Sequence, residues 1–183
     1  KDLELHNRWN LEFDTDQIPG CRELMDAPLS RPADRYFWSR RIDLKDTWES
    51  AMLLCVPIVG SDGTVYGVCG VELSALYFQF SYPTLEGKFG SAVTALAPLQ
   101  DSRLLLPDGL VGSVNGTDLD GQETLAIHQG RYYNEYDTGA ERYIGLHETI
   151  PISKGEAEDT VWAAAILIPQ ESYAAYTAEV QRT

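Results

Sequence analysis

The stretch Cys55-Val-Pro-Ile-Val-Gly-Ser-Asp-Gly-Thr-Val-Tyr-Gly-Val-Cys-Gly-Val-Glu72-Leu-Ser-Ala-Leu-Tyr-Phe78 decides how the rest of the chain is read. Two β-type runs flank Ser61-Asp62-Gly63, a three-residue turn with glycine at the position that needs positive φ. The second run passes directly into a helical pattern with apolar residues at Leu73, Leu76, Tyr77 and Phe80. The order is strand, turn, strand, helix.

Upstream of this unit, residues 9–13 alternate like a strand, 21–27 form a short helix stopped by Pro28, and Tyr36-Phe37-Trp38 is aromatic enough for a strand. Residues 51–59 and 64–71 are the two arms of the hairpin. A proline and a glycine at Pro83 and Gly87 punctuate the chain and divide it near 82–87. Beyond the break, residues 92–98, 102–106, 131–136, 143–152 and 161–168 are short and apolar or β-branched, separated by Gly, Asp, Asn or Pro. They predict a small antiparallel sheet. Tyr136-Asp137-Thr138-Gly139-Ala140 carries the Asp and Gly of a hairpin loop. A final helical pattern runs through Tyr173, Tyr176, Ala178 and Val180.

A chain of 183 residues has room for one large domain or two small modules, and an apolar share of 44% supplies a core without metals or staples. With 14 basic against 28 acidic residues, the formal charge of -14 argues against a nucleic-acid surface and against docking on anionic lipid headgroups. Its simplest reading is a solvated exterior. The sequence starts at Lys1 with no signal peptide and no apolar stretch near the ~20 residues of a membrane span, and reads as an excised piece. The last helix is expected to continue past Thr183.

Three cysteines cannot all pair within one chain. Counting outward from the turn sets Cys55 opposite Cys69 on one face, so these two can bridge, with Cys21 competing for either. Three buried apolar thiols is the other reading. No CxxC spacing or Cys/His cluster suggests zinc, and neither metal nor cofactor is expected. His6, His128 and His147 lie far apart with no G-x-S-x-G elbow or H-E-x-x-H helix nearby, and Asn115-Gly-Thr-Asp118-Leu-Asp120-Gly121 reads as a turn rather than a calcium loop. The expected chemistry is binding, not catalysis.

The hairpin-helix run resembles the ending of a Cache module, the PAS-like sensor domain of bacterial membrane receptors. There a VP-x-x-x-x-x-G-x-x-x-G-V-x-G-x-D/E pattern closes the ligand-binding sheet, and Val56 to Glu72 follow it. The segment Trp162-Ala-Ala-Ala-Ile-Leu-Ile-Pro169, followed by Glu171 and a helix, is similar to the last strand of a membrane-proximal Cache module. The resemblance implies an α+β fold of tandem PAS-like (double Cache) modules, with antiparallel sheets flanked by helices. Residues 1–85 would be a membrane-distal module with a ligand pocket, 86–170 a smaller membrane-proximal module, and 171–183 a helix leading toward a membrane span.

Amine- and amino-acid-binding members of that family surround their pocket with an "R-x-W-Y" helix, a "W-s-x-P-Y" strand and the acidic residue after "G-V-x-G-x". Here Arg22, Trp38 and Glu72 hold the corresponding positions, while Leu24 and Met25 replace the two aromatics and Arg41 and Ile42 replace the Pro-Tyr pair. The ligand is therefore left open among amino acids, amines and organic acids. At the handover from strand to helix, the Glu72 carboxylate is placed either to meet a cation or to complement a helix dipole, worth about 0.3 to 1 kcal/mol. Arg22, Arg35, Arg40 and Arg41 form a dense positive cluster suited to a carboxylate, or else pair with Glu23, Asp26, Asp34 or Asp43 at the surface. Arg40 stands two residues from Trp38 on the same strand face. Tyr36 and Trp38 wall a pocket or belong to the core; Trp48 and Met52 are further lining candidates.

The expected protein is an extracytoplasmic small-molecule sensor in a bacterial membrane-anchored receptor, whose histidine kinase, cyclase, chemoreceptor or other output lies elsewhere. A homodimer is allowed for, and no nucleic acid is. The alternative is a secreted or surface-anchored solute-binding or adhesion module without signalling output.

Overall fold

The computed structural model describes residues 18, 21–26, 36–44, 48–81, 92–112, 119, 121–151 and 160–181. The strand expected at 9–13 and the break at 82–87 lie outside the described residues. Among those described, a short helix α1 (Cys21–Asp26) precedes β1 (Phe37–Trp38), β2 (Ile42–Asp43), β3 (Ser50–Val59), β4 (Val65–Ser74) and α2 (Ala75–Ser81). Seven strands follow: β5 (Val93–Gln100), β6 (Arg103–Leu105), β7 (Leu110–Gly112), β8 (Thr124–His128), β9 (Asn134–Asp137), β10 (Arg142–Ile150) and β11 (Val161–Pro169). Helix α3 (Gln170–Val180) closes the order. Strands β7 and β8 have no counterpart in the sequence reading.

The first sheet is four-stranded, with β3 taking β1 and β2 on one edge and β4 on the other, all antiparallel. Its hairpin turn forms as the sequence requires. Gly63 adopts φ 82 and donates to the Gly60 carbonyl at 3.0 Å. The Thr64 backbone N–H and hydroxyl donate to the Asp62 carboxylate at 3.0 and 2.9 Å, which lowers the pKa of Asp62.

One irregularity sets the facing of the hairpin. Val59 pairs with Val65 but Ile58 pairs with Gly67, a bulge that shifts the register by one residue. Below it Cys55 lies opposite Gly70, and Cys69 lies opposite Val56. This corrects the expected Cys55–Cys69 pairing, because with side chains alternating at a period of two, a single-residue slip sends the two thiols to opposite faces. Cys55 is buried and Cys69 exposed.

The second sheet is seven-stranded and curls on itself. β5 pairs with β11 along one edge and with β6 and β7 along the other, while β6 leads through β8, β9 and β10 back to β11. Such a ring of pairings leaves few open edges. Its interior holds Val93, Ala95, Ala97, Ala163, Ala165 and Leu167 from β5 and β11, closed over by Leu104, Leu125, Tyr136 and Tyr143. The alternate residues of the same strands face outward. β7 returns against β5 through Gly109, where any Cβ would stand 2.3 Å from the Leu96 carbonyl oxygen.

The two sheets share a core. Met52 of β3, Phe78 of α2, Leu110 of β7 and Trp162 of β11 form one buried cluster, with Trp38, Leu73, Leu96 and Ile150 packed against it. The sequence pattern assigned the helix face to Leu76, Tyr77 and Phe80. In the structure these are exposed and Phe78 is the buried residue of α2. The strand runs three residues further than the sequence pattern suggests, to Ser74, so Leu73 packs from β4 and the seven-residue helix starts on a different phase.

Candidate functional site

The hairpin presents two faces with different partners. On one face Leu53 and Cys55 are buried against Ile18 and Cys21 of the α1 region, with Ile42 and Val68 alongside. Glu72 pairs across from Leu53, so it stands on this same face. The half under β3 is sealed, whereas the half along β4 is open, with Gly70 and Glu72 both exposed. The result is a shelf beside α1 whose floor is a glycine and whose end carries a carboxylate. Arg22 is an exposed residue of α1. Glu72 belongs to β4 and not to the first turn of α2, so a helix-dipole role does not explain it.

The opposite face joins the second sheet. Trp38 pairs with Leu54, one residue away from the Leu53–Glu72 pair, and therefore points to the other side from Glu72. Met52 is fully buried there beside Trp162. Arg40 donates to Asp108 Oδ2 at 2.6 Å, and the Arg41 backbone N–H donates to the Asp108 carbonyl at 2.8 Å. Asp108 was not among the acids expected to pair with the arginines. Tyr36 is half-buried just ahead of β1, and Trp48 is 92% exposed. The structure thus puts Glu72 on the hairpin face that α1 covers in part, with Arg22 an exposed residue of α1, and Trp38, Met52 and Arg40 at the junction between sheets.

A cavity of about 640 Å³ lies on the outward face of the second sheet, lined by Phe78, Leu96, Leu146, Ile150, Ala164 and Ile166, with Thr94, His147 and Glu148 as its polar residues. Leu146 and Ile166, cross-strand partners, are 61% and 44% exposed within it. The sequence reading missed this trough. Its signal was the unbroken apolar run 161–168, since an antiparallel strand with one wet face should alternate. Inside the sheet, Tyr136 Oη and His147 Nδ1 lie 2.7 Å apart, and burial raises the Tyr136 pKa. No group of three or more His, Cys, Asp or Glu among the described residues could hold a metal ion.

No family model matches the sequence, and no curated protein does. Solved structures do match. The ligand-binding domain of the Pseudomonas aeruginosa amino acid chemoreceptor PctB, in complex with L-Arg, superposes with a TM-score of 0.52 at 15% identity, over 88% of this chain and 63% of that one. The ligand-binding domain of the Pseudomonas fluorescens chemoreceptor CtaA, in complex with L-leucine, gives a TM-score of 0.47 at 16% identity, over 88% of this chain and 62% of that one. The chain therefore spans under two thirds of the length of either. The fold is mostly antiparallel and PAS-like, as in the PctB ligand-binding domain. Among the described residues no helix is long and apolar enough to cross a membrane.

Proposed function

We propose that this chain is an extracytoplasmic small-molecule sensing domain of a membrane-anchored bacterial receptor. It binds an amino acid, amine or organic acid on the α1 face of the first sheet, and the chain before residue 86 and the chain after it act as tandem modules. Glu72 is placed to meet an ammonium group and Arg22 a carboxylate. The observation that carries this reading is the direct run of β4 from Glu72 into α2, whose Phe78 is buried in the cluster shared with Trp162. A ligand that pulls on β4 at one end of this element shifts packing at the other, and β11 continues into α3. Signal then requires only that the ligand bind two packings with different affinity. Binding without chemistry is the function; a homodimer in the intact receptor fits the same scheme.

A thermal-shift screen over amino acids, amines and organic acids tests it. Ligands of one class should raise the unfolding midpoint in a concentration-dependent way, as mass action demands. Midpoints unmoved by all three classes at millimolar concentration would contradict it.

A further inference from the structure

Three cysteines allow three pairings, and the hairpin register removes two of them. Cys69 pairs with Val56 and is exposed on the face away from α1. Cys55 pairs with Gly70 on the α1 face. Cys21 and Cys55 are 1% and 3% exposed and belong to one small buried cluster with Ile18 and Leu53. We propose that Cys21 and Cys55 form a disulfide that pins α1 to the β3–β4 hairpin, leaving Cys69 as a thiol.

The step is an oxidation of two thiols: each sulfur gives up a proton and an electron, one S–S bond forms, and a disulfide oxidant such as glutathione disulfide is reduced to two thiols. In the reduced form the Cys55 thiol donates to the Leu53 carbonyl at 3.8 Å. Burial, reinforced by the nearby Cys21, pushes the Cys55 thiol up to about 12, so Cys55 in the folded chain presents almost no thiolate for exchange. The bond accordingly forms while the chain folds or when the six-residue α1 opens locally. Once made, it closes a loop that contains β1 and β2 and constrains the unfolded chain. It also fixes the wall beside Glu72. The inference stands on the register and the shared cluster, and is independent of what the shelf binds.

The experiment uses the chain and its Cys69→Ser variant, refolded in a glutathione/glutathione-disulfide buffer, blocked with N-ethylmaleimide, digested and mapped by mass spectrometry. The expected result is a Cys21–Cys55 cross-linked peptide in both proteins, with Cys69 alkylated in the unsubstituted chain. The oxidised protein should unfold about 5 to 10 °C above the reduced one. Alkylation at all three cysteines, an intrachain bond that includes Cys69, or equal midpoints for the two forms would overturn the assignment. A failed ligand screen would leave it standing.

Discussion

Arg40 and Asp108 join the two sheets, Nη1 to Oδ2 at 2.6 Å, across 68 residues of sequence. Both side chains keep about a third of their surface in water, so the pair contributes little, about 0 to 1 kcal/mol. Its value is positional, since the adjacent Arg41 N–H binds the Asp108 carbonyl and fixes the same corner through the backbone. Arg40→Ala should therefore lower stability by less than about 1 kcal/mol in urea unfolding and leave ligand-induced midpoint shifts intact. Loss of the shifts with stability unchanged would return Arg40 to the ligand site.

The shared cluster is where the sheets are coupled. Met52 is fully buried against Trp162, and Met52→Ala should cost about 2 to 5 kcal/mol by urea unfolding. The Trp162 Nε1–H is buried without a partner, a cost of about 1 to 3 kcal/mol that Trp162→Phe relieves. That substitution should be markedly milder than Trp162→Ala.

The hairpin turn gives a backbone test. Gly63 sits at φ 82 in open space, so Gly63→Ala meets no neighbour and its cost is that of the left-handed backbone, about 1 kcal/mol. Gly67 also has open space but no positive φ, and Gly67→Ala should be close to neutral. Thermal unfolding of the two variants checks the contrast.

Alkaline stability should report on the reduced Cys55 thiol, whose pKa rises on folding from 9.0 to about 12. Below pH 9 the thiol is neutral in both states and its contribution is fully present. Between pH 9 and 12 the unfolded chain ionises and the folded chain does not, so stability falls by up to about 1.4 kcal/mol per pH unit. The urea midpoint of reduced protein should drop more steeply over this range than that of Cys55→Ala.

The hairpin, its turn and the strand-to-helix order were legible because each depends on residues a few positions apart. The bulge above Ile58 was not, since it depends on how β4 seats against its partners, and missing it put Cys55 and Cys69 on one face. Strands β7 and β8 escaped notice because three to five residues carry too little alternation to stand out. The Arg40 partner was hidden for a different reason: local acids were at hand in sequence, and the actual acid comes from the 3₁₀ turn before β7. Glu72 was marked by motif and position, yet its separation from Trp38 follows only from a strand register that puts neighbouring residues on opposite faces.

The shelf beside α1 can be tested against the trough on the second sheet. For a compound that raises the unfolding midpoint, calorimetric titration should be run on the unsubstituted chain, Glu72→Ala, and Ala164→Trp, which fills the trough floor. Binding lost or weakened at least tenfold by Glu72→Ala and unchanged by Ala164→Trp is the expected result. Affinity retained in Glu72→Ala and abolished by Ala164→Trp would contradict it and move the ligand to the second sheet.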